Sequence, residues 1–372
     1  MPRITPTPID TALRAIADRA TSAQERLRYR SARTLLSALA GWIEADSRVD
    51  GGPIALLLDR LNSVGHLPAL PGLDARVARV LSLESQRTDE IASEILPDLG
   101  LSFELLRTLN TVELQGTQVP GNGTVLTLRR VLALIGVNGL RKTAAAMRPW
   151  PGPLRDDDVA RLQTLMERVR LAGHVAQALR PPGYDPEVVF LITVMQNLGR
   201  LMVRYHFAEE AQQIDELMRP RAVTTGADRS LPEATAMSED GAAQAVFGVD
   251  IPTFGFAVAR HWGMNDDVLH MIRRLPTDHA VHTPDDDAEQ LRILASAANE
   301  VVDVLTSVAA PWAARELQSV VERYTRVLAI TAANLRDALQ EAREALRRTS
   351  VAVPRQGQSA DPDGSLAPSA SP

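Results

Sequence analysis

Apolar positions recur along this chain at spacings of three and four through nearly every long segment, with Ala, Leu, Arg and Glu between them. That is the helical period, and no set of alternating strands competes with it. Two helical patterns precede residue 50: Ile9 to Ala17, then Tyr29 to Trp42, where Leu35, Leu36 and Leu39 form a stripe. Gly51-Gly52-Pro53 interrupts them. Short helices are expected from Pro53 to Met147, broken at residues 65–68 and 97–100 and by the loop from Gly116 to Gly123. The three prolines of Pro149-Trp150-Pro151-Gly152-Pro153 exclude a continuous helix and place a subdomain boundary there. Asp156-Asp157-Asp158 then opens a long helix, where the helix dipole favours carboxylates. One further helix is expected from Asp185 through Tyr205, a loop from Pro220 to Leu231, and helices around 238–247, 252–262 and 266–274. A last long helix is expected from Pro311 to Arg348.

The reading is therefore an all-α, multi-helix bundle in four parts. Residues 1–50 form an N-terminal helical segment and 53–148 a helical subdomain. Residues 154–348 form a second helical subdomain ending in the long helix. The tail, 350–372, is rich in Pro, Ser, Gly and Ala and should be disordered. The C-terminal pattern, with Leu317, Val320, Val321, Tyr324, Val327 and Leu328 on it, leaves room for a homodimer.

Composition narrows the function classes. A chain of 372 residues with 45% hydrophobic content can bury one large core or two medium ones. Its formal charge of −6 gives no overall basic footprint, so nucleic acid is not expected as the main partner. With no cysteine there is neither a disulfide framework nor a thiolate metal site, and a cytoplasmic setting fits. No stretch reaches the length needed to span a bilayer, so no membrane association is expected.

Three motifs appear in order: Leu67-Pro68-Ala69-Leu70-Pro71, then Leu105-Leu106-Arg107-Thr108-Leu109-Asn110-Thr111, then Leu134-Ile135-Gly136-Val137-Asn138-Gly139-Leu140-Arg141. Together they resemble the bacterial HDOD family, the HD-related output domain, over about residues 64–305. Thr111 stands where the family usually has Ser, and Ile135 where it has Leu. The second half resembles a degenerate HD domain, in which Gly183-Tyr184-Asp185-Pro186 leads into Met195-Gln196-Asn197-Leu198-Gly199. By resemblance, the positions that hold metal in active HD enzymes fall at Glu167, Gln196, Asn197 and Asn299. His174 lies seven residues later than that spacing requires. Only one of the four is ionisable, and neutral amides hold catalytic metals poorly. The resemblance thus implies a pseudoenzyme: no catalytic residue, metal or cofactor, and a regulatory role in bacterial signalling through a protein partner. The former ligand shell is expected to persist as a network in which Gln196 and Asn197 hydrogen-bond Glu167 or Asn299. The alternatives are an active phosphohydrolase of nucleotides or cyclic dinucleotides with an atypical site, and a nucleotide sensor that does not hydrolyse.

A second resemblance concerns Ala12-Leu13-Arg14-Ala15-Ile16-Ala17 and Arg28-Tyr29-Arg30-Ser31-Ala32. These are similar to the last helices of bacterial serine/threonine protein kinases, and segment 1–50 reads as a remnant of that lobe. No Gly-rich phosphate loop, strand lysine or catalytic Asp accompanies them, so phosphoryl transfer has no machinery. Other candidates have plain readings beside them. His270, His279 and His282 are the closest histidine set, but Pro276 and Pro284 flank the pair in a charged loop. The glycines between 116 and 123 fit no phosphate-binding spacing. Arg129, Arg130, Arg141 and Lys142 form a locally basic stretch, the candidate anion or partner site, although arginine is abundant throughout and a solvated helix face explains it too.

Overall fold

The computed structural model describes residues 52–64, 67–82, 87–114, 126–219, 237–277, 279–308 and 310–349. The kinase-like segment 1–50, the loops 116–123 and 220–231, and the tail 350–372 lie outside the described residues, wholly or nearly so. The described residues form fifteen α-helices and no strand, as the 3.6-residue period requires.

Five helices make the N-terminal half: α1 (Pro53–Val64), α2 (Leu73–Ser82), α3 (Thr88–Ile95), α4 (Leu99–Leu114) and α5 (Leu128–Ala146). The Leu-Pro motif before α2 is a packing device. The Ala69 N–H donates to the Arg148 carbonyl at 2.9 Å, and a Cβ on Gly100 would stand 2.4 Å from the Pro68 carbonyl oxygen. Asp98 starts α4 by accepting from the Leu101 N–H at 3.0 Å and the Arg76 guanidinium at 2.6 Å. α5 is bent where Gly136 takes φ 64°, ψ −177°, a conformation open essentially only to glycine.

The second half is built on α6 (Asp156–Leu179), the longest helix. Against it lie α7 (Pro186–Met195), α8 (Leu198–His206), α13 (Asp287–Ser307) and α15 (Ala332–Thr349). α9 (Ala208–Met218), α10 (Glu239–Phe247), α11 (Ile251–His261) and α12 (Asp266–Met271) close one side, and α14 (Ala310–Leu328) packs on α13.

Three expectations change. The helix expected from Asp185 through Tyr205 is two, α7 and α8, meeting at 50°. Asn197, at φ −107°, ψ 10°, breaks the ladder. The long helix expected from Pro311 to Arg348 is also two. Ala329 takes φ 52°, Ile330 turns into the core, and Thr331 and Asn334 cap α15 reciprocally, each side chain accepting the other's backbone N–H. On α14, Val320, Val321 and Tyr324 are buried within the chain, and Leu317, Val327 and Leu328 pack on the same cluster, so the positions offered for a dimer seam are covered internally. Finally, the apolar core does not divide at residues 149–153. One continuous cluster runs from Leu61 through Leu140 to Ala295, and Phe103 of α4 meets Trp262, beyond α11, at 6.0 Å between ring centroids.

Candidate functional site

The HD-type centre sits where α7, α8 and α13 converge beside α6. α7 is apolar enough to be buried at every position from Val189 to Met195, and Asp185 caps its start by accepting from the Glu187 N–H at 2.8 Å. That burial carries Gln196 and Asn197 into the interior at the bend. On α13, Ser296 and Asn299 share a buried face.

The amides bond to one another and to backbone. Asn197 Nδ2 donates to Asn299 Oδ1 at 2.7 Å. Asn299 Nδ2 donates to the Thr193 carbonyl at 3.0 Å and to Gln196 Oε1 at 3.1 Å. Gln196 Nε2 donates to the Met271 carbonyl at 3.1 Å and to Ser296 Oγ at 3.3 Å. Ser296 Oγ also accepts the Leu275 N–H at 3.1 Å. Arg200 Nη1 then donates to Asn197 Oδ1 at 3.1 Å and brings a fixed positive charge to the centre.

Arg200 belongs to a charged rim. Its Nε donates to Glu239 at 2.7 Å. Asp303, one turn beyond Asn299, receives Arg274 at 2.8 Å, Arg168 at 3.1 Å and Arg200 at 3.4 Å. Burial opposes the charge on Asp303, but Arg274 and Arg200, with Arg168 behind them, outweigh it and hold the carboxyl below the usual carboxylate range. A small cleft opens here, lined by Leu165, Arg168, Val169, Asn197, Arg200 and Asn299 among others, with about 10 Å³ of space for a water centre, room for one molecule.

The structure thus brings Gln196, Asn197 and Asn299 together and leaves Glu167 out. Glu167 is exposed on α6, while Leu165, Arg168 and Val169 face the cleft. A linear spacing count lands one residue short of the side chain that the helix turns inward. Sequence reasoning also missed Arg200, Asp303, Ser296 and Thr193. Their signal was present: Arg200 lies three residues after Asn197, and Ser296 and Asp303 flank Asn299 at three and four.

These residues do not fit an HD-type metal centre. A divalent cation would meet neutral amides whose oxygens are already in use, with a guanidinium 3.1 Å from Asn197 Oδ1. Among the described residues no three His, Cys, Asp or Glu side chains gather as a cation site, His270, His279 and His282 included. His174 lies apart from the amide network: Nδ1 meets Gln177 Oε1 at 3.0 Å, and the ring packs 5.1 Å from that of Phe190. Burial, and then the charges of Arg170 and Arg348 against the Gln177 contact, hold His174 below the usual histidine range.

The basic stretch on α5 is not one site. Arg129 is committed to the start of α7, its Nε donating to Glu187 at 2.8 Å and its Nη2 to Asp185. Burial works against its charge, but Glu187 and Asp185 hold it above the ordinary arginine range. Arg130 is half-buried on the same turn, and Arg141 and Lys142 are exposed on the far side of the Gly136 bend.

An all-helical fold around an amide-filled HD-type centre defines an HD-related module. The model of the HDOD domain matches residues 67–276, more than half of the chain, and the chain belongs to the HDOD family. Among solved structures, a virulence factor of Campylobacter jejuni subsp. jejuni is 17% identical, with a TM-score of 0.52 over 78% of this chain and 99% of that one. The MmoQ response regulator of Methylococcus capsulatus str. Bath is 15% identical, with a TM-score of 0.50 over 74% of this chain and 98% of that one. At these identities the likeness establishes the fold. No curated protein matches the chain.

Proposed function

We propose that this chain is a non-catalytic regulatory module of bacterial signal transduction that acts in the cytoplasm by binding another protein. The observation that carries the proposal is the centre itself, where Gln196, Asn197 and Asn299 satisfy one another and Arg200 supplies the cation. A hydrolase of the HD type needs an open metal coordination position and an activated water. This centre has spent its oxygens on internal hydrogen bonds, and its cleft admits one water rather than a nucleotide. That a fold neighbour is described as a response regulator is in keeping with a signalling role.

The experiment is elemental analysis of gently purified protein, paired with hydrolysis assays against phosphoesters and cyclic dinucleotides. The expected outcome is substoichiometric manganese, iron and zinc with no turnover. Stoichiometric metal with turnover overturns the proposal.

A further inference from the structure

The half of α5 beyond the Gly136 bend is a helix with little to bury. From Val137 to Ala146 only Leu140 is buried, while Asn138, Arg141, Lys142, Ala145 and Ala146 are exposed. Asn138 stands three and four residues before Arg141 and Lys142, and Ala145 stands four and three after them, so the four share one face. A helix lying on a core ordinarily mixes charges of both signs on its outer side. Here the outer side carries cations alone. No Asp or Glu occurs from Leu114 through Arg155, a stretch with six basic residues in a chain of formal charge −6. Among the described residues Arg141 and Lys142 meet no carboxylate, whereas Arg60, Arg79, Arg107 and Arg129 each have one.

We propose that Asn138, Arg141, Lys142 and Ala145 form a docking surface for an acidic polypeptide segment of a partner protein. Each cation is exposed and can meet a partner carboxylate, Arg141 through its planar fork and Lys142 as a point charge. Asn138 adds an amide that both donates and accepts toward a partner backbone. Ala145 presents nothing beyond its Cβ, so that backbone can come close. Two cations on one short face suit a run of carboxylates, whereas a duplex phosphate backbone draws on about six to ten contacts along a longer track. The assignment rests on the protein-binding reading above and names the chemistry of its partner. It also divides the basic stretch by role: Arg129 fastens α5 to the start of α7, and the far half of the helix faces the partner.

Lys142 is the only lysine of the chain, so its amine is the sole side-chain amine that a carbodiimide can join to a peptide carboxylate. The test mixes the full chain with a fluorescein-labelled peptide of about ten glutamates at about 50 mM salt, where screening is modest. Anisotropy reads binding, and mass spectrometry maps the cross-link, which is expected at Lys142. R141E/K142E is compared with R343E/R347E, which reverses as many exposed charges on α15. Binding should weaken about tenfold or more in the first and less than about twofold in the second, since charge-assisted contacts are lost only in the first. K142R keeps the charge and removes the amine, so it should bind within about twofold of the unaltered protein and lose the cross-link. Equal weakening by both reversals, a cross-link only at the N-terminal amine, no binding by the unaltered protein, or tighter binding of an oligonucleotide of equal charge overturns the proposal. Protein that cross-links at Lys142 and also hydrolyses phosphoesters would overturn the non-catalytic reading alone.

Discussion

Asn197 shows how much of this centre depends on one amide. Its nitrogen donates to the buried Asn299 and its oxygen accepts from Arg200 at the edge of the cleft. Replacing it with leucine keeps the branched shape in a bulkier, apolar form and leaves the Asn299 amide oxygen and one N–H of Arg200 without this partner. At about 1–3 kcal/mol for each stranded buried group, Asn197→Leu should destabilise the fold by about 2–4 kcal/mol. In a thermal melt that is a drop of roughly 5–10 °C. A melting point that does not move would mean the amides are not a structural network. The same residue marks what the sequence could reveal at this scale. The amide types at 196, 197 and 299 are legible because the motif Met-Gln-Asn-Leu-Gly fixes their register. Arg168 is not, because which α6 side chain faces the cleft depends on helix rotation, and a one-residue error turns the assignment through about 100°.

At the scale of elements, the helical period locates helices well and their breaks poorly. α10 and α11 fall where the apolar spacing and the prolines place them, whereas the α7–α8 and α14–α15 breaks interrupt patterns that read as continuous. Neither break falls on a Gly or Pro: the first lies at Gln196-Asn197 and the second at Ala329-Ile330. At the first, Gly199 of α8 lies against α11: a Cβ on Gly199 would be 2.2 Å from the Ile251 carbonyl oxygen and 3.0 Å from the Gly255 nitrogen. The two helix backbones approach so closely because each offers a glycine at the crossing. Gly199→Ala should therefore push α8 from α11 and cost about 3 kcal/mol or more, the price of overpacking against immobile backbone. Gly241→Ala on α10, where the nearest atom is the Ser238 hydroxyl at 3.1 Å, should change stability by less than about 1 kcal/mol. Urea titrations of the two variants measure the difference, and similar midpoints would show that the crossing is soft.

For the whole molecule, the proline-rich stretch at 149–153 suggests two bodies, yet the packing joins them. α6 contributes Leu162, Met166 and Val169 to the cluster that also contains Leu61, Leu106 and Leu140 of the N-terminal half. One turn later it contributes Ala172, Val175 and Ala176 to the cluster closed by Val301, Tyr324 and Leu335. Burying one helix in two cores ties their stabilities, since losing either core leaves an apolar face of α6 in water at about 25 cal/mol per Å². Charged contacts reinforce the link: on α6, Arg168 reaches Asp303 of α13 and Arg170 reaches Thr349 at the end of α15, and Arg170 also feels the buried Asp98 of the N-terminal half. Urea unfolding should accordingly be a single transition, with tryptophan fluorescence, to which Trp150 and Trp262 of the first cluster contribute, coinciding with the loss of helical circular dichroism. Two separated transitions would mean that the break at 149–153 divides the molecule after all. A single one would mean that α6, shared between the two clusters, ties the halves on either side of that break into one cooperative unit.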